Sequence, residues 1–134
     1  MYLLDTNVLS RLVRKQGDPG LLRKLREQPA ESLFTSCICV MELRHGAARR
    51  DDGGALWRQI EGQILTRVQI LGIGVEEAVL AGGVLAYLWK VGKPIDVEDV
   101  LIRATAVTRS LTVVTNNLAH FRRIPNLPVE DWLV

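Results

Sequence analysis

The sequence predicts an α/β domain in which a parallel β-sheet is covered by helices on both faces. Short apolar runs alternate along the chain with stretches whose apolar residues recur at helical spacing, the pattern of repeated β–α units. Hydrophobic residues make up 48% of the 134 residues and charged residues 24%, which supplies a core and sets disorder aside. The length fits one domain, since single cores commonly run to about 100–200 residues.

Tyr2-Leu3-Leu4 is an apolar run that stops abruptly at Asp5-Thr6, a helix-capping pair, and Val8, Leu9, Leu12 and Val13 follow at helical spacing. The opening unit is therefore strand, tight turn, helix. Gln16-Gly17-Asp18-Pro19 breaks it, and Leu21, Leu22 and Leu25 mark a second helix ending near Pro29. Leu33-Phe34-Thr35 reads as a second strand. Residues 36–50 are helical in pattern, Asp51-Asp52-Gly53-Gly54 reads as a turn, and Leu56, Trp57, Ile60, Ile64 and Leu65 belong to another helix. A third strand is expected within 68–73, and a largely buried helix over 76–91. Asp96 is expected to cap a helix containing Val100, Leu101, Ala104 and Val107. Residues 111–115 form a fourth strand, Asn116-Asn117 opens a helical turn, and Val129 begins a last edge strand.

Several function classes drop out. The longest uncharged apolar stretch, residues 78–89, is shorter than the roughly 20 residues that span a bilayer. Asp5 follows Met-Tyr-Leu-Leu directly, without the basic start and apolar run of a secretory leader, so a cytoplasmic protein is expected. Cys37 and Cys39 flank a single residue, too close for an easy disulfide and with no second Cys/His pair for zinc; they read as small thiols in a reducing compartment. No Gly-rich phosphate loop and no Ser-His-Asp spacing is present. The net charge of +2 is mild, but Arg11, Arg14 and Lys15, Arg23, Lys24 and Arg26, Arg49 and Arg50, and Arg122 and Arg123 are grouped in a way that suits a polyanion. Taken alone, such groups are better explained as ordinary solvated helix faces.

The chemistry rests on carboxylates. Asp5 lies just beyond a strand end, where parallel sheets gather ligands, although a helix cap would sit there too. Glu42 is flanked at helical spacing by Ile38, Cys39, His45 and Gly46, so its carboxylate lies on or beside an inward stripe and needs a cation, from His45 or from a metal. Asp99 stands in capping-box spacing with Asp96 and one turn before Arg103, so a cap, an ion pair and a ligand all remain open. Two or three such acids could hold Mg²⁺ or Mn²⁺, which prefer oxygen ligands, polarise phosphoryl oxygens and acidify water.

Leu4-Asp5-Thr6-Asn7-Val8-Leu9-Ser10, Met41-Glu42-Leu43 with Gly46-Ala47, Pro94-Ile95 with Asp99-Val100-Leu101-Ile102, Val114-Thr115-Asn116-Asn117, Phe121, Ile124-Pro125 and Val129-Glu130-Asp131-Trp132 occur in this order. Together they resemble the PIN-domain ribonucleases, and more closely the VapC toxins of type II toxin–antitoxin pairs. The resemblance implies a single PIN domain over 1–134, with a three-layer α/β/α fold around a central parallel sheet of about five strands. It implies a Mg²⁺- or Mn²⁺-dependent endoribonuclease, acting on RNA that could be transfer RNA. A homodimer neutralised by a VapB-type antitoxin is implied as well, with DNA met only through the antitoxin complex. Carried over by position, Asp5, Glu42 and Asp99 match the family's principal acids. Its fourth acid falls in the turn after Thr115, where this chain has no carboxylate and Asn117, or else Asn116 or His120, could orient a water or ligand. Arg103 and Asp96 stand where the family usually has small residues. The rival reading is a catalytically silent PIN-like RNA-binding module. A phosphoacceptor domain is disfavoured, because Asp51-Asp52 follows Arg49-Arg50 rather than an apolar strand.

Overall fold

A computed structural model describes residues 1–13, 18–116, 118, 124 and 127–132. The chain runs β1 (Tyr2–Leu4), α1 (Thr6–Arg11), α2 (Pro19–Arg26), a 3₁₀ turn (Ala30–Ser32), β2 (Leu33–Ser36) and α3 (Cys37–Ala48). It continues through α4 (Gly53–Ile60), a π-helical extension (Glu61–Leu65), β3 (Gln69–Leu71), α5 (Val75–Lys90), α6 (Val97–Thr108), β4 (Thr112–Val114) and β5 (Val129–Glu130). All strand pairs are parallel, and the five-stranded sheet has the order β3-β2-β1-β4-β5.

That order decides where a ligand can bind. The chain lays β2 and β3 outward on one side of β1, then returns to lay β4 on the other side. The reversal opens a crevice between β1 and β4 at their carboxyl ends, the position at which open α/β sheets take up ligands. Leu4 is in register with Val114, and the Asp5 N–H continues the ladder to the Val114 carbonyl at 3.0 Å. Asp5 and Thr115 thus emerge side by side at the crevice.

Local chemistry starts the helices that frame it. Asp18 accepts a hydrogen bond from the Leu21 N–H at 3.1 Å with Pro19 at the first helical position, and Ser36 accepts from the Ile38 N–H at 3.1 Å to start α3. The main core joins Leu3 and Leu4 of β1 to Val113 and Val114 of β4, beneath Leu9, Leu21, Leu43 and Ile102 from four helices. A smaller core of Ala81, Leu88, Val100 and Ala104 holds α5 to α6.

Two expectations need correction. The helix over 76–91 is not largely buried: only Glu77, Ala81 and Leu88 of α5 are, while Val75, Val79, Tyr87 and Trp89 lie in solvent. Its main partner is α6, and one neighbouring helix can cover only one side. Gly53 and Gly54 are not turn residues but open α4. Gly53 is buried, and a Cβ there would collide with the Ala47 carbonyl oxygen, so glycine is needed for close helix approach. Among the described residues no helix is long and apolar enough to cross a membrane.

Candidate active site

Asp5 is 6% exposed at the point where β1 gives way to α1. Its Oδ1 accepts the Thr6 N–H at 2.8 Å, so it does cap the helix. Its Oδ2 accepts the Thr115 hydroxyl at 2.9 Å and the Asn7 side-chain amide at 3.4 Å. The Asn7 amide also reaches the Thr115 hydroxyl at 3.2 Å, which clasps the ends of β1 and β4 together. Burial pushes the Asp5 carboxyl above its usual range against the pull of the Thr6 and Thr115 hydrogen bonds. The charge of Asp99 pushes it further, and that of Arg103 draws it back.

Glu42 arrives from the middle of α3, whose Cys39, Leu43 and Ala47 face the core. It is half-buried, and its Oε1 accepts the Thr6 hydroxyl at 2.9 Å. Thr6 therefore ties Asp5 to Glu42, one through its backbone and the other through its side chain. The ion pair with His45 allowed by the sequence does not form, and His45 is exposed. Burial raises the Glu42 carboxyl above its ordinary value, and the charges of Asp5, Asp99 and Glu98 add to the rise.

Asp99 lies in the first turn of α6 and is half-buried. Asp96 takes the N-cap position as expected, but its side chain makes no capping hydrogen bond, so that half of the capping box is missing. Both Asp5 and Glu42 sense Asp99 as a like charge. Three acids from separate elements thus face one crevice. Asn116 is exposed, and its N–H donates to the Asn7 side-chain oxygen at 3.4 Å. Asn117 and His120 lie outside the described residues.

Like charges held partly out of water call for a cation, and hard carboxylate oxygens suit Mg²⁺ or Mn²⁺. Among the described residues no group of three or more His, Cys, Asp or Glu side chains closes on one ion position. An ion that keeps several of its own waters, as Mg²⁺ does, would need fewer carboxylates than an enclosed one. Cys39 takes no part: it is buried as a free thiol, and burial pushes it up to about 11.

A groove of about 560 Å³, lined by Glu42 but by neither Asp5 nor Asp99, runs past Thr6, Ser10 and Gly46 to Arg50 and Gln59. Arg50 is already engaged there, with its Nε 2.9 Å from Asp52 Oδ1 and its Nη2 3.2 Å from Oδ2. Of the expected basic groups, Arg14, Lys15, Arg122 and Arg123 lie outside the described residues.

Residues 2–127 match the PIN domain family. The chain belongs to that family. Within it, this PIN domain is 31% identical over 131 residues to the tRNA(fMet)-specific endonuclease VapC of Salmonella typhimurium, covering 98% of this chain and 97% of that one. It is 33% identical over 132 residues to the ribonuclease VapC2 of Haemophilus influenzae, covering 98% of each. A crystal structure of DNA-bound VapBC from Salmonella typhimurium superposes with a TM-score of 0.89 at 30% identity, over 98% of this chain and 97% of that one.

Sequence reasoning had seen Thr6 only as half of a capping pair, and Asn7 and Thr115 only as parts of a motif. They tie the acids to the sheet. A threonine or asparagine beyond a strand end is ordinary by itself; the usable signal is that a threonine–asparagine pair follows each strand, Thr6-Asn7 after β1 and Thr115-Asn116 after β4.

Proposed function

We propose that this PIN domain is the toxin of a VapBC-type type II pair, an endoribonuclease that depends on Mg²⁺ or Mn²⁺. The observation that carries the reading is the like-charge coupling of Asp5, Glu42 and Asp99 at the β1–β4 crevice. A divalent ion bound there supplies charge that neutralises phosphoryl oxygens and acidifies water. Asp5 and Asp99 are its principal holders, and Glu42 completes the acidic wall and can accept the proton of an attacking water. Thr6 and Thr115 fix the directions of the Asp5 and Glu42 carboxylates, and Asn117, outside the described residues, is the candidate to orient a water or ligand. The chemistry needs no side-chain nucleophile.

Similarity to named ribonucleases supports RNA as substrate, and a relative named for tRNA(fMet) supports transfer RNA. Similarity to a DNA-bound VapBC complex supports a VapB-type antitoxin as partner, with DNA contact through that complex. The apolar side chains that α5 leaves in solvent support a homodimer.

The test is digestion of a transfer RNA pool by the purified protein with Mg²⁺ or Mn²⁺, with excess EDTA, and with the Asp5→Asn variant. Cleavage that needs the ion and Asp5 is the expected result. Cleavage undiminished in EDTA rejects the mechanism, and RNA binding without turnover identifies a silent module.

A further inference from the structure

Among the described residues, the largest side chain wholly removed from water is a charged one. Arg103, in the second turn of α6, is 0% exposed, and its Nε, Nη1 and Nη2 are all buried. A guanidinium cannot shed its proton to escape this cost, so its charge has to be met where it stands. Its surroundings show how. Arg103 lies one turn beyond Asp99 on the same face of α6. Ile102, Ala104, Thr105 and Ala106 around it are buried as well, and α6 packs on β4. β4 leads directly to Thr115, whose hydroxyl holds Asp5 at 2.9 Å. The positive charge of Arg103 is felt at Asp5, where it opposes that of Asp99. The cation is thus held out of water yet close enough to act on the acids.

We infer that Arg103 is a built-in counter-cation of the carboxylate cluster, a positioning residue that holds Asp5 and Asp99 together without metal and weakens the cluster's grip on a divalent ion. The second half rests on the cluster being the metal site proposed above; the first half does not. The two cations act in sequence. Arg103 lets the acids converge as the chain folds, and the charge it leaves unmatched sets how strongly an ion is drawn in. An arginine in this place makes the site weaker for metal and more stable when empty.

Three variants of the full chain test this: Arg103→Met, Arg103→Lys, and Arg103→Met combined with Asp5→Asn. Metal-free melting and Mn²⁺ titration by calorimetry are measured on each. Arg103→Met should melt lower without metal and bind Mn²⁺ roughly ten- to a hundredfold more tightly, since a nearby like charge has gone. Arg103→Lys should stay near the original Mn²⁺ affinity. Adding Asp5→Asn should raise the melting temperature of Arg103→Met by more than it raises that of the original protein. Should Arg103→Met fail to fold alone, the double variant is expected to fold. A double variant that also fails, or melting effects that simply add, makes Arg103 a packing residue and overturns the first half. Unchanged Mn²⁺ affinity in Arg103→Met overturns the second. An original protein that binds no Mn²⁺ removes the metal reading, and the metal-free melting comparison still decides the pairing.

Discussion

Glu42 and Glu77 are both glutamates drawn out of water on helices, and the less buried of the two is the one under electrostatic pressure. Glu77 is 5% exposed, but its Oε2 accepts the Gly74 N–H at 3.1 Å, closing the first turn of its own helix, and its Oε1 lies 3.8 Å from Arg109. Glu42 is only half-buried, with a single threonine hydroxyl for support and Asp5, Asp99 and Glu98 for company. Depth of burial therefore does not distinguish scaffold from site. An acid met by donors and a cation from its own neighbourhood holds a helix end in place, whereas an acid surrounded by acids makes a place for a cation from outside.

The largest effect should come from the acid at the centre of the second kind of environment. Asp5→Asn keeps an acceptor for the Thr6 N–H, so the protein should fold, yet cleavage should fall by at least about a hundredfold in single-turnover assays. Retained cleavage would reduce Asp5 to a helix cap. The two glutamates should then separate. Glu42→Gln should lose cleavage by about tenfold or more with metal-free stability unchanged or raised. Glu77→Gln should keep its activity per folded molecule while losing about 1 kcal/mol of stability in denaturant unfolding. The reverse pattern would place the comparison on the wrong residue.

A pH series sharpens the same contrast. The folded protein raises the carboxyls of Asp5 and Glu42 above their ordinary values of 3.8 and 4.5. A group raised on folding holds more protons in the folded than in the unfolded state across that window, so stability falls as pH rises through it. The metal-free protein should therefore lose melting temperature as pH climbs from about 4 toward neutrality, and Asp5→Asn combined with Glu42→Gln should flatten that loss. The smallest effect is expected at Arg49 and Arg50. RNA binding should weaken as salt rises, and replacing both by Ala should flatten the slope only slightly, because Asp52 already neutralises Arg50.

The alternation of strands and helices was legible because burial imposes its period directly on the sequence. The three acids were legible as strand-end and helix-face residues, and the resemblance then picked them out. What stayed hidden depends on partners distant in the chain. Composition could not say that α5 has a neighbour on one side only, or that Gly53 is a point of helix contact rather than a turn. Arg103 stood out as a departure from the family pattern, but its complete burial follows from how α6 meets β4, which spacing does not reveal. Asp96 was correctly placed at a helix start, yet position alone does not ensure that its carboxylate turns back to cap.

Asp99 is where scaffold and site are hardest to tell apart, because it lies in the first turn of a helix and beside two other acids. The most direct measurement is the rise in melting temperature on adding Mn²⁺ to the original protein and to Asp99→Asn. Asn keeps the shape and an acceptor oxygen while removing the charge. The variant should lose most of the Mn²⁺-induced rise, since stabilisation by a ligand follows occupancy of the native site; its metal-free melting is no guide, because losing the charge relieves Asp5 and Glu42 but leaves Arg103 less well balanced. A variant that keeps the full Mn²⁺ response would leave Asp99 a purely structural acid and contradict the metal site.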